Sequence, residues 1–108
     1  MKFFKYHGLG NDFILIDCIR NNVKIDPEWA KKACDRNFGI GADGVLYVLP
    51  GGADYDAEMV ILNSDGSSSK MCGNGIRCVA KYVRDNGIST DNEFDIKTGR
   101  GILHVATT

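Results

Sequence analysis

Met71-Cys72-Gly73-Asn74-Gly75-Ile76-Arg77-Cys78 sets a cysteine in a glycine-rich turn at the head of an amphipathic run. From Ile76 the apolar residues recur as Ile76, Val79, Ala80 and Val83, the i, i+3, i+4, i+7 spacing of one buried helix face. Asn74 is the expected N-cap and Asn86-Gly87 the expected stop. Cys72 then stands just outside a helix N-terminus, where unpaired N–H groups and the positive end of the dipole favour negative charge. That field favours thiolate, the form in which cysteine acts as base or nucleophile. Gly73 and Gly75 carry no Cβ, so backbone and substrate can approach closely, and the same N–H groups suit a carboxylate. The competing reading makes Cys72 a small buried hydrophobe, the commonest fate of an isolated cysteine. On pattern alone the two readings stand level.

Outward from this helix the chain alternates short apolar segments with turns. Residues 2–6 form a strand candidate, followed by the turn His7-Gly8-Leu9-Gly10-Asn11, and Phe13-Ile14-Leu15-Ile16 reads as a buried strand. Asp26 and Pro27 supply an N-cap and a first-turn proline for a helix to about Arg36, with Trp29, Ala30, Ala33 and Cys34 as its inner face. Gly39-Ile40-Gly41-Ala42-Asp43-Gly44 matches G-x-G-x-x-G, but a helix precedes it and a strand, residues 45–49, follows. A dinucleotide site needs strand first and helix second, so that the pyrophosphate meets a helix N-terminus. This segment is therefore read as a helix-to-strand loop. Further strands are expected at 57–62, 93–97 and 102–106, the last two forming a hairpin across Thr98-Gly99-Arg100-Gly101. About six strands and two helices imply an α+β domain, with a curled, mostly antiparallel sheet wrapped around the helix that follows Cys72.

The 108 residues are expected to form one domain. With 13 basic and 14 acidic residues and no basic run, nucleic acid is not the expected partner. No apolar run approaches the ~20 residues of a membrane span, and the N-terminus has no signal-peptide core. Cysteines 18, 34, 72 and 78 form no C-x-x-C pair and have no histidines at zinc spacing, so reduced thiols in a cytoplasmic protein and no bound metal are expected.

Three segments carry a resemblance. His7-Gly8-Leu9-Gly10-Asn11-Asp12-Phe13, Asn63-Ser64-Asp65-Gly66-Ser67 and the Cys72 motif are similar to the signatures of diaminopimelate epimerases, and the 39–44 loop fits between the first and second. The resemblance implies an isomerase of lysine and cell-wall precursor biosynthesis that interconverts LL- and meso-diaminopimelate without pyridoxal or any other cofactor. It implies two cysteines on opposite faces of the substrate α-carbon, one thiolate base and one thiol acid. Cys72 matches one of them. Gly73 and Asn74 would bind the α-carboxylate through backbone N–H groups, and Asn11 and Asn63 would hydrogen-bond the substrate from neighbouring loops. From the residues alone, the favoured readings are of Asn11 as a turn residue and of Asn63 as a strand end satisfying its own backbone, and the motif match reverses that order.

The resemblance covers only the first of the family's two similar halves. Residues 1–108 are thus expected to be an amino-terminal domain, with the second catalytic cysteine in a carboxy-terminal half absent from this chain. Such a half is expected to be inactive alone and, with apolar surface uncovered, to self-associate. Some relatives carry a substrate-reaching glutamine where this chain has Gly44, and that contact does not transfer. Cys78, six residues into the helix, is assigned to packing. Two alternatives remain open at this level: a related cofactor-free racemase acting on another amino acid such as proline, and a non-catalytic binding or redox module bearing a sensitive thiol.

Overall fold

Residues 13–16 and 45–48 are apolar at every position, and strands of that kind need cover on both faces. A computed structural model of the chain, which describes residues 3–8, 10–69, 73–87 and 93–106, shows how they obtain it. The elements are β1 (Phe4–Gly8), β2 (Asn11–Asp17), α1 (Pro27–Cys34), β3 (Gly44–Pro50), β4 (Ala57–Asn63), β5 (Ser68–Ser69), α2 (Gly73–Asp85), β6 (Glu93–Thr98) and β7 (Gly101–Ala106). The strands form one open mixed sheet in the order β1-β2-β3-β4-β6-β7. Pairs β2–β3 and β4–β6 are parallel, and the others are antiparallel. Beyond β3, the other edge of β4 is shared. Ala57 and Glu58 pair with β6, whereas Ile61 and Leu62 pair with β5.

The pleat sends alternate residues of the central strands to two separate cores. Phe13, Leu15, Leu46, Val48, Met59 and Ile61 pack against α2, joined by Phe94 and Ile96 from β6 and by the half-buried Tyr6 and Val105 from β1 and β7. Residues reach this one helix from both edges of the sheet, so the sheet curls around α2, as expected. Ile14, Ile16, Val45, Tyr47 and Leu62 face the other way and meet Ala30, Ala33 and Cys34 of α1. The α2 face expected to be apolar is the one that packs: Val79, Ala80 and Val83 are buried with Cys78 and Tyr82, and Ile76 is half-buried beside them. Full burial of a valine or phenylalanine side chain contributes about 1.5–3 kcal/mol.

Local chemistry sets the ends of the helices. The Asp26 carboxylate accepts from the Glu28 and Trp29 N–H groups at 3.0 and 3.2 Å, with Pro27 in the first turn. Helix α1 stops at Cys34 rather than near Arg36, because Asp35 turns extended and its carboxylate takes the N–H groups of Asn37 and Phe38. Helix α2 starts at Gly73, so Asn74 is a first-turn residue and not the N-cap expected from sequence. At its other end Gly87 takes φ +65°, a left-handed helix stop at the expected position. Asp17, 2% exposed at the end of β2, accepts from the N–H groups of Ile19 and Arg20 and from the Tyr82 hydroxyl. This contact ties α2 to the sheet. Burial, reinforced by Asp17, pushes ionisation of Tyr82 up out of reach, so its hydroxyl serves as a permanent donor.

Candidate functional site

Register places Asn11 and Asn63 at one end of the sheet. Gly8 pairs with Asn11, and Gly44 is opposite Phe13 on one side and Asn63 on the other. The first residue of β2, the first of β3 and the last of β4 therefore gather at a common edge. Asn11 and Asn63 lie two strand spacings apart with an offset of two residues, about 12 Å between their backbones. The head of α2 reaches the same edge, where Asn74 Nδ2 donates to Asn11 Oδ1 at 2.7 Å. The N–H groups of a first helical turn have no intrahelical acceptors, so Gly73 and Asn74 bring anion-favouring backbone to this place. Gly73 is exposed, and a Cβ built there would meet nothing within 4 Å.

Cys72 immediately precedes Gly73 in sequence and lies outside the described residues. The other three cysteines are elsewhere. Cys34 is buried in the α1 core and Cys78 in the α2 core. Cys18 follows β2 at the far end from Asn11, roughly 20 Å away along the strand. Burial pushes the Cys34 and Cys18 thiols up, helped by the Asp43 and Asp17 charges respectively. We expect iodoacetamide at mildly acidic pH to alkylate Cys72 first, with peptide mapping as the readout. Faster labelling of Cys18, Cys34 or Cys78 in the folded protein would contradict a helix-terminal thiolate.

Asn63 is held within its own loop. Its Nδ2 donates to Ser67 Oγ at 3.1 Å, its backbone N–H to the Ser67 carbonyl at 2.7 Å, and Ser67 Oγ passes on to Asp65 at 2.6 Å. Gly66, at φ +86°, closes this turn against the Pro27 carbonyl. At Gly44 a Cβ would lie 2.8 Å from the Leu62 carbonyl oxygen, so the backbone itself leaves no room for a longer side chain there.

A charged cluster that sequence reasoning gave no role borders the same edge. Asp12 and Asp43 clasp each other: the Asp12 N–H donates to Asp43 Oδ2 at 2.8 Å, and the Asp43 N–H to the Asp12 carbonyl at 2.9 Å. Arg36 spans the two carboxylates, at 3.5 Å from Asp12 and 3.2 Å from Asp43, and His7 also bonds Asp12. The Asp12 N–H holds the Asp43 carboxyl below the usual carboxylate range, with Arg36 and the Asn11 side chain adding to the effect. The available signal was the Asp-Gly end of the 39–44 motif, which reads equally well as a turn.

Comparison with known proteins adds to this geometry. The family model for diaminopimelate epimerase matches residues 3–108. The chain belongs to the diaminopimelate epimerase family. It is 51% identical over 104 residues to the diaminopimelate epimerase of Synechococcus elongatus, covering 95% of this chain and 37% of that protein. The enzyme of Gloeothece citriformis is 57% identical over 106 residues, covering 95% and 38%. The chloroplastic diaminopimelate epimerase of Oryza sativa subsp. japonica is 51% identical over 107 residues, covering 95% and 30%. The chain thus spans about a third of the length of these epimerases. Among solved structures it resembles a phenazine biosynthesis protein of the PhzF family from Bacillus anthracis, with TM-score 0.76, 21% identity and coverage of 98% and 36%. It also resembles a hydroxyproline epimerase from Agrobacterium vitis, with TM-score 0.67, 16% identity and coverage of 94% and 35%. Those two likenesses establish a shared fold. Among the described residues no helix is long and apolar enough to cross a membrane.

Proposed function

We propose that these residues form one half of the active site of a two-thiol amino-acid epimerase that interconverts LL- and meso-diaminopimelate in the cytoplasm, on the route to lysine and peptidoglycan. Cys72 is one of the two acid–base groups. The observation that carries this reading is the convergence of Asn11, Asn63 and the head of α2 at one sheet edge, in a chain whose curated relatives at about half identity are named for that reaction.

The chemistry follows from stereochemical necessity. Inversion requires the α-proton to leave from one face and a proton to arrive at the other. A thiolate on the first face takes the proton, the C–H electron pair remains on the α-carbon, and a thiol on the second face supplies the new proton. The two sulfurs end with their protonation states exchanged. In the proposed site Gly73 and Asn74 hold the α-carboxylate with backbone N–H groups, placing the scissile C–H at Cys72. The carboxylate's two oxygens also take up charge as the proton leaves, where oriented donors are most effective. Asn11 and Asn63 bind more distant parts of the substrate. The proposal needs neither pyridoxal nor a metal, because a low-pKa thiolate and a pre-formed anion cradle carry the proton transfer.

Cys34 and Cys78 are buried in the two cores, and Cys18 lies at the opposite end of β2 from Asn11. On this reading the second thiol comes from outside these 108 residues, in the part of the relatives that this chain does not span. LL-diaminopimelate in D₂O, followed by NMR and chiral chromatography, tests this. The 108 residues alone should give no meso isomer and at most slow α-deuteration with retention. A protein extended by the second half should form meso isomer carrying one α-deuteron. Rapid meso formation by the 108 residues would overturn the half-site assignment, and inversion without deuterium would overturn the proton-transfer mechanism.

A further inference from the structure

The motif Gly39-Ile40-Gly41-Ala42-Asp43-Gly44 has the spacing of a nucleotide loop in the wrong structural context, and the structure gives it a different task. Its first part is stitched to the end of α1. The N–H groups of Ile40 and Gly41 both donate to the Ala33 carbonyl, at 2.8 and 2.9 Å, and that of Ala42 to the Cys34 carbonyl at 3.2 Å. Gly41 takes φ +84°, a turn open to glycine, and thereby delivers Asp43 to the start of β3. There Asp43 meets the first peptide of β2 from 31 residues away and is braced by Arg36.

We propose that Asp43 is a positioning residue that fixes the orientation of the Asn11 side-chain amide towards the substrate. Two contacts determine that orientation. Asn11 Oδ1 is taken by Asn74 Nδ2 at 2.7 Å. The Asp43 carboxylate sits on the adjoining Asn11–Asp12 peptide, 2.8 Å from the Asp12 N–H, and because a carboxylate only accepts, it favours the rotamer that turns Nδ2 rather than Oδ1 towards it. The reciprocal Asp12–Asp43 backbone bonds hold the adjoining peptide, so the base of the Asn11 side chain is fixed against the carboxylate. One lone pair on Oδ1 and one N–H of Nδ2 then remain for substrate, in a fixed left-right order. A substrate group bearing both a cation and an anion, such as an amino-acid centre, matches that order. Arg36 donates to the other Asp43 carboxylate oxygen at 3.2 Å and so braces its aim.

The effect on substrate rests on the proposed role of Asn11, so the test has two arms. In the full-length protein, Asp43→Asn retains an acceptor for the Asp12 N–H but also puts an amide N–H₂ beside Arg36 or Asn11. The kinetic arm expects KM for diaminopimelate to rise about tenfold in Asp43→Asn with kcat within about threefold, the loss of one oriented hydrogen bond. Asp43→Glu should recover part of that loss. The second arm is activity-independent: ¹⁵N NMR of the Asn11 side-chain N–H₂ pair, assigned with Asn11→Asp. Its shifts should follow an acid titration in the wild type and lose that response in Asp43→Asn. Unchanged Asn11 signals would overturn the positioning role whatever the activity. Altered signals with unchanged KM would keep the clamp and remove Asn11 from substrate binding. Equal loss of stability and activity in Asn and Glu variants, with wild-type KM, would reduce Asp43 to a purely structural group.

Discussion

Cys72→Ser should lower epimerisation by at least about 10³-fold in the full-length protein, while the urea midpoint stays close to wild type. The size follows from the acid–base task. Serine has nearly the same shape but is a far weaker acid than a thiol of ordinary pKa ~8.5, so no base is present near neutral pH. The proposed carboxylate cradle is backbone at Gly73 and Asn74, so binding of a diaminopimelate analogue, read by calorimetry, should change by less than about threefold. Separation of the two readouts is what identifies a catalytic group. Near-normal turnover would remove Cys72 from the mechanism, and loss of analogue binding would move it into the cradle.

Gly39→Ala should be the most damaging single methyl in the loop next to that site. A Cβ at Gly39 would fall 2.1 Å from the Lys32 carbonyl oxygen and 2.8 Å from that of Ala33, both main-chain atoms of the last turn of α1. Neither can rotate away as a side chain would. Relief requires the 39–43 loop to lift, which breaks its bonds to Ala33 and Cys34 and loosens Asp43 from Asp12. Overpacking of this kind costs typically 1–3 kcal/mol, and each lost backbone bond adds about 1 kcal/mol. We expect a loss of about 3 kcal/mol by urea denaturation. Gly73→Ala is the contrast, since open space and a helical position predict a change between zero and a stabilisation of about 1 kcal/mol. Equal midpoints for the two variants would show that the loop is not packed as described.

The fold was legible where its causes are local. The inner faces of both helices, the Asp26 cap and the doubly buried strands follow from periodicity and end chemistry over a few residues. Boundaries shifted where a side chain competes with the ladder or a partner strand extends it. Asp35 ended α1 early, and pairing of His7 with Asp12 and of Gly8 with Asn11 drew β1 into what reads as a turn. The serine-rich segment after Asn63 contains β5, which carries no strand pattern of its own and pairs only because β4 offers an edge. Of the candidate site, the glycine-rich helix head and the two asparagine turns stood out by composition and motif. The Asp12–Asp43 clasp did not, and neither did the Asn11–Asn74 contact across 63 residues. Each joins residues whose own neighbourhoods say only turn.

The seam between β4 and β6 has a consequence for how the domain breathes. Among the described residues, only Ala57 with Ile96 and Glu58 with Lys97 pair across it, assisted by Asp56, whose N–H meets the Asp95 carbonyl and whose carboxylate meets the Asp95 N–H. By contrast, β6 and β7 pair along their whole length, and His104 bridges back to Asp95 across the pair. The hairpin is therefore a cooperative unit fastened to the sheet by a short rivet and by the burial of Phe94 and Ile96. Opening at the rivet frees the hairpin as one leaf and uncovers one flank of α2, while the β1–β4 sheet that holds the Asn11 edge stays intact. In the language of native-state exchange, we expect two foldons of unequal depth, with the amides of β6 and β7 exchanging before those of the β1–β4 sheet that carries the proposed substrate edge.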